Sequence, residues 1–166
     1  MLCSKKVLVI YGLPGSGKTT LARKIQGQLN CPWYNADRVR DTLSSDLGFS
    51  FADRLEQARR MGSLALLSAE QPSTPLVLVD FVCPTYETYN TFKQTIVNGY
   101  KNSNPLTIVS IFMDTIKPED SRFADTAKLA EYTLIDRNPD LVFKTFIGSE
   151  QEWVLAVQKT LFLLKP

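Results

Sequence analysis

Short, continuous apolar runs along the chain are separated by longer segments in which apolar residues recur every three or four positions. Runs rich in leucine, valine and isoleucine occupy residues 6–11, 76–80 and 106–113. Such unbroken runs are typical of strands that are buried on both faces of a parallel sheet. Shorter apolar runs at residues 33–36 and 141–146 predict two further strands.

Helical periodicity fills the intervals between the predicted strands. It predicts helices over residues 19–29, over a short segment that Asp37 caps, and over residues 51–70, 86–100 and 149–164. This alternation predicts a single α/β domain over residues 1–166, with three layers and a mostly parallel, doubly wound sheet. Ligands are expected at the carboxyl ends of the strands, in the loops that begin at Gly12, Asn35, Phe81 and Asp114.

Bulk composition narrows the chemistry available to this domain. No histidine occurs among the 166 residues, which excludes histidine general bases and histidine metal ligands. The three cysteines are widely spaced without a C-x-x-C pair, which predicts reduced thiols and a cytoplasmic location. No apolar run reaches the roughly 18 residues of a membrane span, so no membrane partner is expected. The net charge of +2 does not favour nucleic acid as the main partner.

A glycine-rich segment links the first predicted strand to the first predicted helix. It matches the pattern G-x-x-x-x-G-K-[ST], the phosphate-binding loop of P-loop NTPases. Glycines let successive backbone N–H groups point inward, and the following helix adds the positive end of its dipole. Lys18 is placed to reach the β- and γ-phosphates of ATP, and Thr19 to hold Mg²⁺. The predicted ATP-binding residues of this segment are Gly12, Pro14, Gly15, Ser16, Gly17, Lys18, Thr19 and Thr20.

Charged residues near the ends of two other predicted strands bear on the second substrate and on the metal. Asp37 can orient or deprotonate an attacking hydroxyl, or hold Mg²⁺ through water, and Arg40 can grip an anionic acceptor. From local sequence alone, the alternative that Asp37 only caps a helix and Arg40 is solvated has equal weight. Asp80 ends a hydrophobic strand, which fits a Mg²⁺ carboxylate, and the alternative is a solvated aspartate.

Three consecutive motifs give the chain a family resemblance. Residues 35–40 read N-A-D-R-V-R, residues 46–50 read D-L-G-F-S, and residues 53–60 read D-R-L-E-Q-A-R-R. In order and spacing they resemble the adenylylsulfate kinase family, whose motifs are approximately D-G-D-N-V-R, D-L-G-F-S and D-R-x-E-N-x-R-R. The segments F-V-C-P at residues 81–84 and N-P-D-L-V at residues 138–142 are similar to family segments as well.

The resemblance implies transfer of the γ-phosphoryl group of MgATP to the 3′-hydroxyl of adenylyl sulfate. It implies that Asp37 and Lys18 are catalytic, and that Asp37 also organises the metal. Phe49 would stack on the adenine of the acceptor, while Arg40 and Arg54 would bind its phosphosulfate. The acceptor-binding residues that it implies are Asp37, Arg40, Phe49, Arg54, Gln57, Pro84 and Phe123.

The chain departs from the family at several of these positions. Asn35 replaces the first acidic residue of the D-G-D motif, and Gln57 replaces an asparagine. Asp80 stands where the adenylylsulfate kinases of the comparison have serine. Residues 85–87 read T-Y-E where the family usually has arginines, so anion contacts are lost there.

The lid, at about residues 115–131, is shorter than in the family and is expected to shield the transfer from water less well. Two interpretations of its residues stay open. Either Phe123 is the second face of an adenine sandwich, or Arg122 lies over ATP.

Two other functions also stay open. The pattern Asp37-x-x-Arg40 after a G-x-P-G-S-G-K loop resembles polynucleotide kinases as well, so the acceptor hydroxyl can belong to a polynucleotide 5′-end, a modified DNA base or a nucleoside. The absence of arginines at residues 85–87 favours a third hypothesis, in which the chain is a non-catalytic nucleotide-binding module. The predicted partners are small-molecule nucleotides, nucleic acid is less favoured, and a homodimer is left open.

Overall fold

A computed structural model describes residues 4–116, 138–144 and 150–163 of the chain. The helices and strands of these residues are, in chain order, β1 (Lys5–Gly12), α1 (Lys18–Leu29), β2 (Trp33–Asn35), α2 (Ala36–Asp41), α3 (Phe51–Ala69), β3 (Leu76–Phe81), α4 (Tyr86–Gly99), β4 (Leu106–Met113), β5 (Leu141–Phe143) and α5 (Glu150–Leu163). All five predicted strands are present. The strand predicted over residues 141–146 is shorter than expected, since Lys144 already lies outside the sheet.

The five strands form one sheet in the order β2-β3-β1-β4-β5, and every neighbouring pair is parallel. β1 lies at the centre, where Val9 pairs with Val79 of β3 on one side and Ser110 of β4 on the other. Its core residues are fully buried, as an unbroken apolar run predicts. The α/β P-loop NTPase fold is therefore confirmed.

Helices cover both faces of the sheet because side chains alternate between the faces along each strand. Val7, Val9 and Tyr11 pack on one face against α3 and α4. Leu8 and Ile10 pack on the opposite face against α1 and α5. Full burial of one such aliphatic side chain contributes roughly 1.5–3 kcal/mol, so the two clusters fix the sheet that carries the loops.

The start of α2 corrects one expectation. Asn35 is the N-cap, because its side-chain oxygen accepts from the backbone N–H of Arg38 at 3.0 Å. The helix therefore begins at Ala36, and Asp37 occupies its first turn instead of capping it. The capping alternative for Asp37 is wrong, and its carboxylate is available for another role.

Ser50 caps α3 and forms a capping box with Asp53. Arg122 and Phe123 of the predicted lid lie outside the described residues. Among the helices that the structure describes, none combines the length and the apolar character needed to cross a bilayer.

Candidate active site

A cleft of about 990 Å³ lies where the carboxyl ends of β1, β2 and β3 meet. Three of the four predicted loops contribute to it, those that begin at Gly12, Asn35 and Phe81. The segment before α3 and one turn of α3 close the remaining side. Its lining residues are Pro14, Gly15, Gly17, Lys18, Thr19, Thr20, Asn35, Ala36, Asp37, Arg40, Asp41, Phe49, Arg54, Gln57, Asp80, Phe81, Val82, Cys83, Pro84 and Thr88.

The phosphate loop takes its shape from backbone geometry. Gly15 and Gly17 have φ angles of 92° and 90°, which residues with a Cβ rarely adopt. Gly17 is also the N-cap of α1, so the positive end of that helix dipole meets the cleft. The ammonium group of Lys18 donates to the carbonyl oxygen of Leu13 across the loop at 2.8 Å. This arrangement suits polyphosphate binding, as the sequence predicts.

Two predicted loop residues support the loop without lining the cleft. A Cβ at Gly12 would lie 2.6 Å from the carbonyl oxygen of Met113, so the close approach to β4 requires glycine. Ser16 is fully buried, and its hydroxyl has no hydrogen-bond partner within the described ranges. Its carbonyl oxygen accepts from the Thr115 hydroxyl at 2.7 Å, which ties the residues after β4 to the phosphate loop.

A hydrogen-bonded cluster joins the end of β3 to the phosphate loop. Asp80 Oδ2 accepts from Thr19 Oγ1 at 2.8 Å and from Asn35 Nδ2 at 2.9 Å. Asp80 Oδ1 accepts from Trp33 Nε1 at 2.7 Å. Asp80 is only 1% exposed, so the alternative of a solvated strand-end aspartate is wrong.

Two opposing effects act on the Asp80 carboxyl group. Burial raises its pKa above the ordinary value, while the hydrogen bonds from Trp33, Thr19 and Asn35 and the charge of Lys18 act to lower it. The cluster thus places one carboxylate and one hydroxyl beside the phosphate loop. Mg²⁺ typically takes one or two such oxygen ligands together with substrate phosphates, so this donor set fits it. Among the residues that the structure describes, no three His, Cys, Asp or Glu side chains form a self-sufficient metal site.

A second group in the cleft consists of one aromatic ring and two guanidinium groups. The guanidinium carbon atoms of Arg40 and Arg54 lie 4.7 Å and 5.7 Å from the centroid of the Phe49 ring. Arg40 also donates to the carbonyl oxygen of Gly48 at 2.8 Å, and Arg54 donates to that of Phe49 at 3.0 Å. Phe49 is 70% exposed, so its ring is not part of a hydrophobic core.

Burial disfavours the charge on both guanidinium groups. Burial lowers the pKa of Arg40, and the nearby charge of Arg54 lowers it further, while Asp53 and Asp37 oppose the shift. Burial lowers the pKa of Arg54 as well. An anion bound between these two partly buried cations would offset the cost of burying their charges and the effect of Arg54 on Arg40. The solvated alternative for Arg40 therefore loses support, and an anion-binding role gains it.

The remaining predicted acceptor residues line the same cleft. Asp37 is exposed in the first turn of α2, and Pro84 is buried after β3. Gln57 is 4% exposed, and its Nε2 donates to the carbonyl oxygen of Ala36 at 3.4 Å. Its Oε1 has no hydrogen-bond partner within the described part of the chain, which leaves a buried amide atom for a ligand.

Two residues of the site received no role from the sequence. Trp33 gave no signal, because its contact with Asp80 exists only once β2 pairs with β3. Cys83 lines the cleft with a φ of 48°, and its sulfur lies 3.6 Å from the hydroxyl of Thr88. The F-V-C-P segment at residues 81–84, which begins at the last residue of β3, was the available signal.

The chain matches known proteins over most of its length. The sequence model of the family described as adenylylsulphate kinase matches residues 4–131. An adenylyl-sulfate kinase of Geotalea uraniireducens is 32% identical over 171 aligned positions, which cover 90% of this chain and 78% of that protein. An adenylyl-sulfate kinase of Geotalea daltonii is 43% identical over 86 positions, which cover 49% of this chain and 41% of that protein. The chain thus spans less than half the length of this second relative.

The fold also matches a solved structure that contains two nucleotides. This is the APS kinase CysC of Mycobacterium tuberculosis in complex with AMPPNP and APS. The TM-score is 0.73 and the sequence identity 25%, with 96% of this chain and 98% of that chain covered. That protein binds its two nucleotides on the same fold that this chain adopts.

Proposed function

Because the chain belongs to the adenylylsulphate kinase family, we propose that it transfers the γ-phosphoryl group of ATP to the 3′-hydroxyl of adenylyl sulfate. One observation carries the proposal. A single cleft contains both the phosphate loop and the group formed by Arg40, Phe49 and Arg54. A phosphoryl donor and an anionic, aromatic acceptor then meet in one space, as in-line transfer requires.

The ATP end of the cleft is the phosphate loop. The backbone N–H groups of Gly15, Gly17, Lys18 and Thr19, at the start of α1, would bind the β- and γ-phosphates. Lys18 would exchange its bond to the Leu13 carbonyl for the phosphate oxygens, which places its charge where negative charge develops.

The acceptor end combines a ring with two guanidinium forks. The exposed face of Phe49 offers a stacking surface for adenine. Arg40 and Arg54 would bind the phosphosulfate, which removes the repulsion between them. The buried amide of Gln57 supplies a hydrogen bond that orients the acceptor.

In the transfer step the 3′-oxygen of the acceptor forms a bond to the γ-phosphorus while the bond from that phosphorus to the β–γ bridging oxygen breaks. ADP leaves, and the proton of the hydroxyl passes to Asp37 or to solvent. Asp37 is freed for this role because Asn35 caps α2 in its place. The family's first acidic residue of the D-G-D motif is absent, so Asp37 is the carboxylate that remains at this strand end.

The oxygen donors of the hydrogen-bonded Thr19–Asp80 pair support Mg²⁺ as the metal of this site. When bound, the ion would neutralise charge on the β- and γ-phosphates. Thr19 would hold it through its hydroxyl oxygen, while Asp80 keeps the hydroxyl proton directed away from the ion. Asn35 and Trp33 fix the carboxylate in this orientation.

The test is a coupled assay of ADP release with ATP, Mg²⁺ and adenylyl sulfate. Turnover that depends on adenylyl sulfate and is lost in Lys18→Ala supports the proposal. Absence of both turnover and adenylyl sulfate binding would overturn it. A parallel screen with γ-labelled ATP against nucleosides and oligonucleotide 5′-ends then identifies a different acceptor, while no labelling of any acceptor indicates a non-catalytic module.

A further inference from the structure

The aromatic platform of the cleft stands on an exposed connection. Residues 42–50 join α2 to α3 and are here called the acceptor loop. Phe49 is 70% exposed and Leu43 56% exposed, so little apolar burial holds this loop in place. Within it, the backbone N–H of Leu47 donates to the Ser44 carbonyl oxygen at 3.0 Å, a local turn that does not tie the loop to α3.

Arg60 ties the acceptor loop to α3. Its guanidinium donates to both carboxylate oxygens of Asp46, at 2.6 Å and 2.8 Å, and to the carbonyl oxygen of Leu43 at 3.0 Å. Nε of the same guanidinium group donates to Glu56 Oε1 at 2.9 Å, and this bond within α3 orients the Arg60 side chain. One planar side chain therefore joins two points of the loop to the helix, a role that suits the fixed fork of arginine.

The contacts of Arg60 give a role to motif residues that lie outside the cleft. Asp46, Glu56 and Arg60 belong to the D-L-G-F-S and D-R-L-E-Q-A-R-R segments, yet none of them lines the cleft. Asp46 is three residues before Phe49, and Glu56 is two residues after Arg54. The network thus lies close in sequence to two of the three acceptor-binding residues, Phe49 and Arg54.

We propose that Arg60 is a positioning residue for acceptor binding: by joining Asp46 and the Leu43 carbonyl to α3, it holds Phe49 where the acceptor's aromatic ring stacks. The inference rests on the proposed function for the identity of the acceptor. It assigns Arg60 no contact with either substrate. Its predicted effect is confined to the acceptor side of the reaction.

Arg59 provides a matched control. It is the adjacent residue, carries the same side chain and forms two bonds of 2.7 Å to the same Glu56 carboxylate. Its side chain lies on the exposed face of α3 and makes no bond to the acceptor loop among the described contacts. A general effect of losing an arginine near Glu56 appears in both variants, whereas a positioning effect appears only at Arg60.

The experiment compares Arg60→Met, Arg60→Lys, Asp46→Asn and Arg59→Met with the unmodified protein. Steady-state kinetics give KM for adenylyl sulfate, KM for ATP and kcat. We expect Arg60→Met and Asp46→Asn to raise the acceptor KM about fivefold, with little change in kcat or in KM for ATP. Arg60→Lys should fall between, since lysine keeps the charge but loses the fork, and Arg59→Met should match the unmodified protein.

Amide hydrogen exchange supplies a readout that does not depend on turnover. In Arg60→Met and Asp46→Asn the amide of Leu47 should exchange about threefold faster or more, with α1 and the core strands unchanged. Asp46→Asn serves as the second variant because Asp46 is 59% exposed and its change leaves the core intact. The double variant Arg60→Met/Asp46→Asn should exchange no faster than Arg60→Met alone, since Arg60→Met already removes the contact with Asp46.

Two failures are distinguishable. If the unmodified protein neither binds nor phosphorylates adenylyl sulfate, the proposed function fails, and the exchange data still decide whether Arg60 holds the loop. Unchanged Leu47 exchange in both variants, or an acceptor KM that rises equally in Arg59→Met, overturns the positioning role alone. A rise in KM for ATP equal to that for the acceptor also contradicts it.

Discussion

The phosphate loop and the acceptor loop face one cleft but are held in different ways. The phosphate loop follows a buried strand, and its Lys18 and the adjoining Asp80 are 8% and 1% exposed. The acceptor loop lies at the surface, where Phe49 is 70% exposed and side-chain hydrogen bonds replace core packing. Changes at the buried end should therefore reduce turnover with any acceptor, whereas changes at the exposed end should alter affinity for one acceptor.

The largest effect is expected at the buried end. Lys18→Ala removes the only ammonium group in the described lining of the cleft, and should lower kcat about 100- to 1000-fold. The measurement is ADP release at saturating ATP and acceptor. Lys24→Ala, on the exposed face of the same helix, is the control and should retain activity. A Lys18→Ala enzyme with ordinary kcat would contradict the assignment of this loop.

Removing the buried carboxylate should have the next largest effect. Asp80→Asn leaves the Thr19 hydroxyl without its charged partner, so the Mg²⁺ concentration for half-maximal activity should rise about 10- to 100-fold. A magnesium titration of activity at saturating ATP measures it. Glu87→Gln, which removes an exposed carboxylate in the first turn of α4, should leave the titration unchanged. If Asp80→Asn required the same Mg²⁺ concentration as the unmodified protein, that result would contradict a metal role for this cluster.

At the exposed end the effect should fall on the acceptor alone. Phe49→Leu removes the stacking face, so KM for adenylyl sulfate should rise about tenfold while KM for ATP stays the same. Phe51→Leu is the matched control, because Phe51 is 52% exposed two residues away and does not line the cleft. A parallel change in both variants would mean that general loss of an aromatic side chain explains the result.

The smallest effect concerns the acid titration of the network around the acceptor loop. The bonds from Arg59 and Arg60 lower the pKa of Glu56 from 4.5 to about 2. Because the folded-state pKa is depressed, the stabilisation by these bonds is complete above about pH 4.5 and is lost as the pH falls through about 2. Carboxyl chemical shifts followed by NMR should give this low midpoint.

The same titration in Arg60→Met should show a higher pKa for Glu56, since one of its two donors is gone. An unchanged midpoint would mean that Arg59 alone sets the pKa. That result would also weaken the coupling between Glu56 and the acceptor loop.

The two regions also differ in how far the sequence predicts them. The phosphate loop was predicted residue by residue, since a glycine-rich turn between a buried strand and a helix is specified by neighbours in the chain. Phe49, Arg40 and Arg54 were predicted by family resemblance, and the structure brings them together. Local propensity alone would not have joined them, because Arg40 and Phe49 come from different elements.

A choice between two neighbouring helix caps and two long-range contacts account for what the sequence did not predict. Asn35 took the N-cap position that was expected of Asp37, because an asparagine at the end of a strand reaches the helix N–H groups equally well. Trp33 reaches Asp80 only through the register of β2 with β3. Arg60 reaches Asp46 only when the acceptor loop folds back over α3. None of these contacts leaves a periodic signal in the sequence.

The most direct test of the central claim follows label from ATP radiolabelled at its γ-phosphate. The protein is incubated with Mg²⁺ and either adenylyl sulfate or its 3′-deoxy analogue, and the products are separated by chromatography. We predict a labelled adenylyl sulfate that bears phosphate at the 3′-position, and no labelled product from the analogue, which should still compete as an inhibitor. Label on the analogue, or no label on adenylyl sulfate despite binding, would contradict transfer to the 3′-hydroxyl.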